Sequence, residues 1–291
     1  MKFAWIRRHK DAFPMAAMCK VLGVSRSGYY AWVGRPPGTR GQRKEQLMQA
    51  IQKAFDDNRQ VYGSPRLHEE LVARGVACCV NTVAKYMKEA GISPKPPKPF
   101  RVMTTDSNHT HPIAANLLDR QFSRSEPNAA WCADITYVPT RQGWLFVALV
   151  IDLFSRRIVG YAMADHLRAS LVIDALSMAL DRRRPPGGWR GRDLLAHSDR
   201  GVQYACAAYR TLLAAHGVTA SMSRTGNCYD NAVMESFIAT LKRELTDRCD
   251  YQDRQQATRS IIEYIEVFYN QQRRHSVLGY VSPAQFEQAA A

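Results

Sequence analysis

Three acidic residues in the second half of the chain have positions that suit metal-dependent chemistry. Asp134 lies within WCADITYV, which alternates like a β-strand, although aspartate is a poor strand former and an unpaired buried carboxylate is costly. Asp199 follows directly on the strand-like DLLAHS, and Glu235 lies near the start of a later helix, with 35 residues between Asp199 and Glu235. Oxygen ligands of this kind, without a His/Cys set, favour Mg²⁺ or Mn²⁺ over zinc. Two such ions about 4 Å apart would activate an attacking oxygen and stabilise a leaving one in phosphodiester displacement.

The helix that carries Glu235 also places a cation on the same side. At about 100° per residue, Glu235 lies at the edge of the helix's apolar stripe, so its carboxylate can face a cleft. The stripe follows spacings of four, three and four residues: Met234, Ile238, Leu241 and Leu245. Lys242 returns to nearly the same azimuth two turns on, about 10 Å away. This arrangement suits a site that holds a metal and a phosphate chain together.

Other polar residues nearby have simpler interpretations. Asp152 ends a strand and serves a turn, and Asp174 falls on the polar face of its helix. Asp230 or Asn231 N-caps the Glu235 helix, and His197 is a packed or supporting residue. Because carboxylates are common, the residues alone leave the choice of Asp134, Asp199 and Glu235 open.

The positive charge of the chain is concentrated in its front part. The 291 residues have room for about two domains, and with 46% apolar and 23% charged residues the composition is that of a folded protein. Residues 1–125 carry 21 basic and 9 acidic side chains, a net +12, whereas residues 126–291 carry 19 and 17, a net +2. We therefore expect a polyanion-binding region joined to a part whose chemistry needs carboxylates.

Two short helical units occupy this basic part. The first comprises a helix over 15–22, a turn at Gly23 and a second helix that Ser25 can N-cap. The second unit comprises helices over 64–74 and 81–90 around Gly75, which is the helix-turn-helix outline.

The outer face of the last of these helices offers candidate DNA contacts. Asn81, Lys85 and Lys88 could reach bases or phosphates there, while inward residues such as Val83 and Met87 have helical spacing. A helical hairpin that merely packs is the alternative, and this pattern does not decide between the two.

The rest of the chain predicts a linker, an α/β domain and a tail. Four prolines in PKPPKP favour an extended basic tether within residues 93–128. Three strands in a meander, followed by alternating strands and helices, then predict a mixed sheet flanked by helices, the layout of a ribonuclease-H-like fold. We expect a helical DNA-binding region over 1–92, the linker over 93–128, the catalytic domain over 129–248 and a helical tail over 249–291.

Cysteine usage and hydropathy predict a reduced, soluble protein. The seven cysteines form no CxxC pair, and the longest apolar run is the eight residues 144–151, too short to span a bilayer. The first residues also lack the apolar segment of a signal peptide. We expect a protein of the cytoplasm with no membrane partner.

Several long motifs resemble one family. HSDRGVQY, SRTGNCYDNAVMESFIATLKREL, YNQQRRHSVLGYVSPAQFE and the front motif YGSPRLHEEL resemble the second-frame, catalytic product of bacterial insertion-sequence transposases, members of the retroviral-integrase (DDE) superfamily. The likeness covers nearly the whole chain. It implies that Asp134, Asp199 and Glu235 are the catalytic, metal-binding triad and that Lys242 is the family's DNA-binding basic residue.

The resemblance also implies a reaction and partners. Metal-dependent hydrolysis would free a 3′ hydroxyl at an element end, and this hydroxyl would attack another phosphodiester without a covalent protein intermediate. The implied partners are double-stranded DNA of element ends and target, further copies of the chain on DNA, and an upstream-frame helix-turn-helix/coiled-coil product, separate or fused by frameshifting. The site of action would be the bacterial nucleoid.

Two other functions stay open. One is a ribonuclease-H-like nuclease that cuts without joining, and the other is an inactive, DNA-binding relic that keeps the fold. In the tail, Tyr269, Asn270, Arg273 and His275 match the family's motif, and they either close the domain structurally or contact DNA.

Overall fold

The first part of the chain is helical. A computed structural model describes residues 1–34, 38–94, 110–189, 191, 193–224 and 228–290. Before the sheet lie six helices: α1 (Lys2–His9), α2 (Met15–Val21), α3 (Arg26–Val33), α4 (Thr39–Asp57), α5 (Ser64–Ala73) and α6 (Val80–Glu89). The four helices predicted here are confirmed as α2, α3, α5 and α6, and Ser25 caps α3 by accepting from the Gly28 N–H at 2.9 Å. Helices α1 and α4 were not predicted.

The second part alternates strands and helices. Its strands are β1 (Ala130–Thr140), β2 (Gly143–Asp152), β3 (Ile158–Ala164), β4 (Leu195–Ser198) and β5 (Thr219–Met222). Its α-helices are α7 (Ala169–Arg182), α8 (Val202–Ala205), α9 (Ala207–Ala215), α10 (Ala232–Glu244), α11 (Arg254–Glu263) and α12 (Pro283–Ala289). A π-helix, Tyr264–Tyr269, continues directly from α11.

The five strands form one mixed sheet in the order β3-β2-β1-β4-β5. The first three are an antiparallel meander, and β4 and β5 run parallel to β1. Helices cover both faces, so the predicted ribonuclease-H-like fold class, with an all-α region before it, is confirmed. No helix in the described part of the chain is long and apolar enough to cross a membrane.

The alternation of β1 directs successive side chains to opposite faces of the sheet. Cys132 and Val138 pack with α10 and α11, whereas Trp131 and Ala133 pack beneath α7, α8 and α9. Asp134 has the parity of Cys132, so its carboxyl belongs to the α10 side of the sheet.

The front helices divide into two groups by their packing. Helices α1 to α3 enclose a small core of their own: Ile6, Met18, Cys19 and Tyr29. Helices α4 to α6 instead share the core of α10 and α11, and the Tyr62 hydroxyl accepts from the Arg274 N–H at 2.8 Å. Removing the front region would therefore open the core of the second part.

The described half of the predicted linker packs against the sheet. The proline-rich stretch 95–109 lies outside the described residues, so the predicted tether is not described. From residue 110 the chain runs along β5, where the Ser221 hydroxyl accepts from the N–H groups of Leu117 and Leu118, and Leu118 is fully buried. The predicted domain boundaries stay predictions.

Gly160 sets how closely α7 can approach β3. A Cβ atom at this position would lie 2.2 Å from the Ala175 carbonyl oxygen and 2.8 Å from the Ala179 Cβ. We expect Gly160→Ala to lower the free energy of unfolding by about 1–3 kcal/mol or more, because helix and strand must separate. Gly38→Ala is the control, since a Cβ at Gly38 meets nothing within 4 Å. Urea unfolding measures both variants, and equal stabilities would contradict this packing.

Candidate active site

Neighbouring parallel strands bring Asp134 and Asp199 together. Cys132 of β1 pairs with His197 of β4, and each aspartate lies two residues beyond its member of this pair. The two carboxylates line one small cavity of about 10 Å³, close to the least volume that holds one water. Its other lining residues are Ile135, Leu167, Gly201, Gln203 and Tyr204.

The surroundings of the Asp134 carboxyl disfavour its ionised form. Burial, followed by the negative charge of Asp199, raises its pKa from 3.8 to about 8. Glu235 raises this pKa further, whereas the Ile135 N–H, which donates to Asp134 Oδ1 at 2.8 Å, and the Lys242 charge lower it. At neutral pH and without a cation, Asp134 therefore keeps its proton.

A tight turn fixes the orientation of Asp199. The Gly201 N–H donates to Asp199 Oδ1 at 2.9 Å, and a Cβ at Gly201 would lie 3.0 Å from that same oxygen. Because residue 201 is glycine, no Cβ atom crowds the Asp199 carboxylate, and the backbone N–H of Gly201 can donate to it at close range.

Glu235 reaches the site from the first turn of α10. Asn231, at the N-cap position, donates from Nδ2 to the Ala133 carbonyl at 3.2 Å and so ties the start of α10 to β1 beside Asp134. Glu235 is exposed, and partial burial of its carboxyl raises its pKa. Its charge reaches Asp134, although Glu235 does not line the cavity.

The prediction that Asp230 or Asn231 N-caps α10 is confirmed for the position of Asn231, although its side chain makes no capping hydrogen bond. Its Nδ2 donates to Ala133, and its Oδ1, the atom that would accept at the helix start, has no partner in the described structure. The carboxylate of Asp230 is buried and accepts hydrogen bonds from Arg224 and Arg120. These cations hold its pKa far below the usual range.

Lys242 lies on the same side of α10 as Glu235. Its Nζ stands 4.8 Å from the centre of the Tyr137 ring. Burial lowers its pKa, while the charges of Asp247 and Asp134 raise it. The apolar stripe differs from the prediction in that Phe237 is buried and Ile238 only half-buried.

The three candidate carboxylates are the type of ligand that binds a hard cation, but in the described structure they do not converge on one point. Across the described ranges, no group of three or more His, Cys, Asp or Glu side chains is close enough to hold an ion. Asp134 and Asp199 offer carboxylate oxygens to one cavity, which is the ligand type that Mg²⁺ and Mn²⁺ prefer. Residues 225–227, just before α10, lie outside the described part of the chain.

Tyr204 is a cavity residue that the sequence reasoning missed. Its hydroxyl is buried in the wall of the cavity and has no hydrogen-bond partner in the described structure. Burial and the charges of Asp134 and Asp199 hold its pKa well above the ordinary value. The sequence offered one signal, because Tyr204 ends the motif DRGVQY, which begins at the catalytic candidate Asp199.

Comparison with known proteins identifies the family. An HTH-like domain family matches residues 42–100, and two integrase core domain families match residues 124–228 and 216–283. The chain is 46% identical, over 93% of its length, to the 31 kDa protein of insertion element IS600 from Shigella sonnei, of which 97% is covered. It is 41% identical, over 99% of its length, to the transposase InsF of IS3A from Escherichia coli, of which 98% is covered. The chain belongs to this family of insertion-sequence transposases.

A solved structure has a similar but more distant outline. The catalytic core domain of HTLV-2 integrase in complex with magnesium covers 56% of the transposase and 97% of its own chain, with a TM-score of 0.42 and 14% identity.

The predicted family resemblance is confirmed by the insertion-sequence relatives. The protein is an enzyme, a transposase with an integrase core.

Helix α6 of the transposase presents the predicted DNA-contact residues to solvent. Asn81, Lys85 and Lys88 are all exposed, whereas Val83 and Met87 are buried on the opposite side. Lys85 Nζ lies 4.0 Å from a Glu89 carboxylate oxygen. The geometry leaves these three residues accessible, and their contact with DNA stays a prediction.

The remaining predicted polar residues have structural partners. His197 is buried between the hydroxyls of Ser221 and Ser223, at 2.9 and 3.1 Å, and burial lowers its pKa to about 4. Asp152 accepts from the N–H groups of Asn128 and Phe154, as expected of a turn residue.

The tail motif closes the transposase core. Asn270 bonds both the N–H and the carbonyl of Ile158 at the start of β3, at 2.9 and 3.0 Å. Arg273 forms a two-pronged pair with Glu244, at 2.8 and 2.7 Å. These residues therefore join the tail to β3 and α10.

In metal-free buffer, we expect the stability of Asp134→Asn relative to wild type to increase with pH. The folded chain keeps the Asp134 proton up to about pH 8, whereas an unfolded aspartate releases it near 3.8, so wild-type stability falls across this window. The variant has no carboxyl to ionise at this position, so its stability relative to wild type should rise from pH 4 to pH 8. Chemical unfolding in EDTA measures the difference, with exposed Asp174→Asn as control. A difference that does not change with pH would contradict the raised pKa.

Proposed function

We propose that the transposase cuts DNA at insertion-sequence ends and transfers the freed 3′ hydroxyl to target DNA, using Asp134, Asp199 and Glu235. The observation that carries this proposal is the pairing of two carboxylates, from adjacent parallel strands, in one cavity where Asp134 cannot easily ionise alone. Such a pair is an expensive structural feature unless a cation uses it.

The cation would be Mg²⁺ or Mn²⁺, and we propose two ions. Asp134 and Asp199 would hold them, with Glu235 joining from α10. When bound, the metal supplies activation of the attacking oxygen and stabilisation of the leaving one. The residues of the chain supply the rest.

Four groups around the cavity have distinct roles in this proposal. Asp134 gives up its proton as it becomes a ligand, and the Gly201 N–H holds the Asp199 carboxylate in place. Lys242, half-buried over Tyr137, binds a phosphate of the strand that runs along α10. The Tyr204 hydroxyl donates a hydrogen bond to a group that enters the cavity.

The DNA partners are element ends and target duplex. We propose that α6 contacts them through Asn81, Lys85 and Lys88, since these residues share one exposed face of the second helix of a helix-turn-helix unit. We further propose that copies of the chain assemble on DNA, together with an upstream-frame product, at the bacterial nucleoid.

Asp199→Asn should abolish cutting and joining while leaving DNA binding within about twofold of wild type. The substitution removes a metal ligand and no phosphate contact. The assay combines Mg²⁺, element-end DNA and target, and scores cleaved and joined products; Asp174→Asn is the control. Cleavage by Asp199→Asn would remove Asp199 from the site. If the wild type cuts element ends but forms no joined product from pre-cut ends, the protein is a nuclease that does not join DNA.

Lys88→Ala should weaken DNA binding and reduce its salt dependence. Loss of one phosphate contact lowers the slope of log affinity against log salt by about 0.9. Lys53→Ala, an exposed lysine on α4, is the matched control. Anisotropy titrations across salt concentrations, with Ca²⁺ in place of Mg²⁺, give the slopes. If both variants lose the same slope, α6 is not the DNA-binding face.

A further inference from the structure

A second polar cleft lies along α10, beside the face of the helix that carries Glu235. It has a volume of about 260 Å³ and is built from α5, the turn after β2, α10 and the tail. Its polar lining consists of three arginines, a histidine and hydroxyls: Arg66, Arg156, Arg273, His275, Ser236, Thr240 and Ser276. We call it the arginine cleft.

The arginine cleft holds more positive than negative charge. Arg273 is paired with Glu244, and Arg66 Nη1 lies 3.9 Å from the same carboxylate. Arg156 forms no ion pair with any described carboxylate; its Nη2 donates to the Phe122 carbonyl at 3.1 Å. Among the described residues, the Glu244 carboxylate therefore pairs with two of the three guanidinium groups, and Arg156 has no ion pair.

Two guanidinium nitrogens in the cleft have no partner. Arg66 Nε and Arg156 Nη1 are both buried, and neither makes a hydrogen bond in the described structure. Buried donors of charged groups are nearly always satisfied, by protein or by a bound group. Burial also lowers the pKa of both arginines. An acceptor for these two nitrogens is therefore not supplied by the described residues.

The turn that carries Arg156 and the nearby His275 add no negative charge to the cleft. Arg156 has a φ of +61°, a left-handed conformation uncommon outside glycine, and from this turn its side chain reaches the cleft. His275 cannot supply negative charge, and burial and the three arginines lower its pKa to about 2, so it is neutral. Arg273 Nη1 lies 3.2 Å from His275 Nε2.

The mouth of the cleft is open to solvent. Ser236, Ser276 and Val277 are exposed at its rim, while Arg273 and Thr240 lie buried within it. The hydroxyls of Ser236 and Thr240 come from one face of α10 and add neutral donors to the guanidinium groups. Guanidinium and hydroxyl donors together match the oxygens of a phosphate.

We propose that the arginine cleft binds a phosphodiester of the DNA strand that occupies the active site. Ser236 is the neighbour of Glu235, so the two sites lie on adjacent sides of one helix about 10 Å wide. A single strand that is held at Glu235 can therefore place another of its phosphates at Arg66 and Arg156. The DNA part of this inference rests on the proposed function, whereas the affinity for phosphate does not.

The first test uses inorganic phosphate as the probe on the full chain. At equal ionic strength, phosphate in place of chloride should raise the Tm of wild type by about 3 °C more than that of Arg156→Gln, since the general stabilising effect of phosphate is common to both. Arg184→Gln, which removes an exposed arginine, is the matched control and should respond like wild type. Arg66→Gln provides a second variant should Arg156→Gln not fold. Equal phosphate shifts in all variants would overturn the proposal.

The second test locates the phosphate on DNA. Single neutral methylphosphonates are placed along an element-end duplex, and binding is measured with Ca²⁺ in place of Mg²⁺. One position should weaken wild-type binding about tenfold and weaken Arg156→Gln no further, because both changes remove the same contact. Strictly additive losses at every position would overturn the DNA assignment even if free phosphate binds. Failure of the proposed function would instead appear as absent cleavage, with both binding results unchanged.

Discussion

The burial of the Asp134 carboxyl beside Asp199 is the constraint around which the second half of the chain is arranged. Parallel pairing of β1 with β4 places both carboxylates at one end of the sheet, in a cavity where burial keeps Asp134 protonated. A chain that only needed to fold would avoid this pair. The fold tolerates it because two large apolar cores on either face of the sheet fix β1 and β4 independently of the site.

Helix α10 links this strained pair to the rest of the protein. Asn231 fastens its start to β1, and Glu244 near its end is fastened to the tail by Arg273. One side of the helix carries Glu235 and Lys242, and another side carries the hydroxyls of the arginine cleft. The same helix can therefore hold the proposed metal ligand Glu235 and the proposed phosphate contacts in fixed relation. The tail and the α4 to α6 helices are needed because they complete the cleft and the core.

Local patterns predicted much of this arrangement. The alternation of WCADITYV predicted the strand that carries Asp134, and helical spacing placed Lys242 on the side of Glu235. The charge division pointed to the front helices, although it did not show that α4 to α6 pack into the catalytic core. Helix α4 was not predicted, although Leu47, Ile51, Ala54 and Phe55 follow helical spacing.

The features that sequence reasoning could not give depend on contacts between distant segments. Arg66 and Arg156 meet only in the folded chain, and nothing in YGSPRLHEEL or in the turn after β2 marks either as unpaired. Asn231 has the expected N-cap position, but the sequence did not show that its side chain would donate to a carbonyl of β1. Tyr137 became a partner of Lys242 because a strand and a helix cross there.

The most direct measurement is the proton balance of metal binding. Calorimetric titration of the wild-type chain with Mn²⁺ at pH 7, in buffers of different ionisation enthalpy, reports the protons released per ion bound. We expect release of about one proton, because Asp134 is protonated before the metal binds and must ionise to become a ligand. A binding heat that is independent of the buffer would contradict the assignment of Asp134 and Asp199 as the metal site.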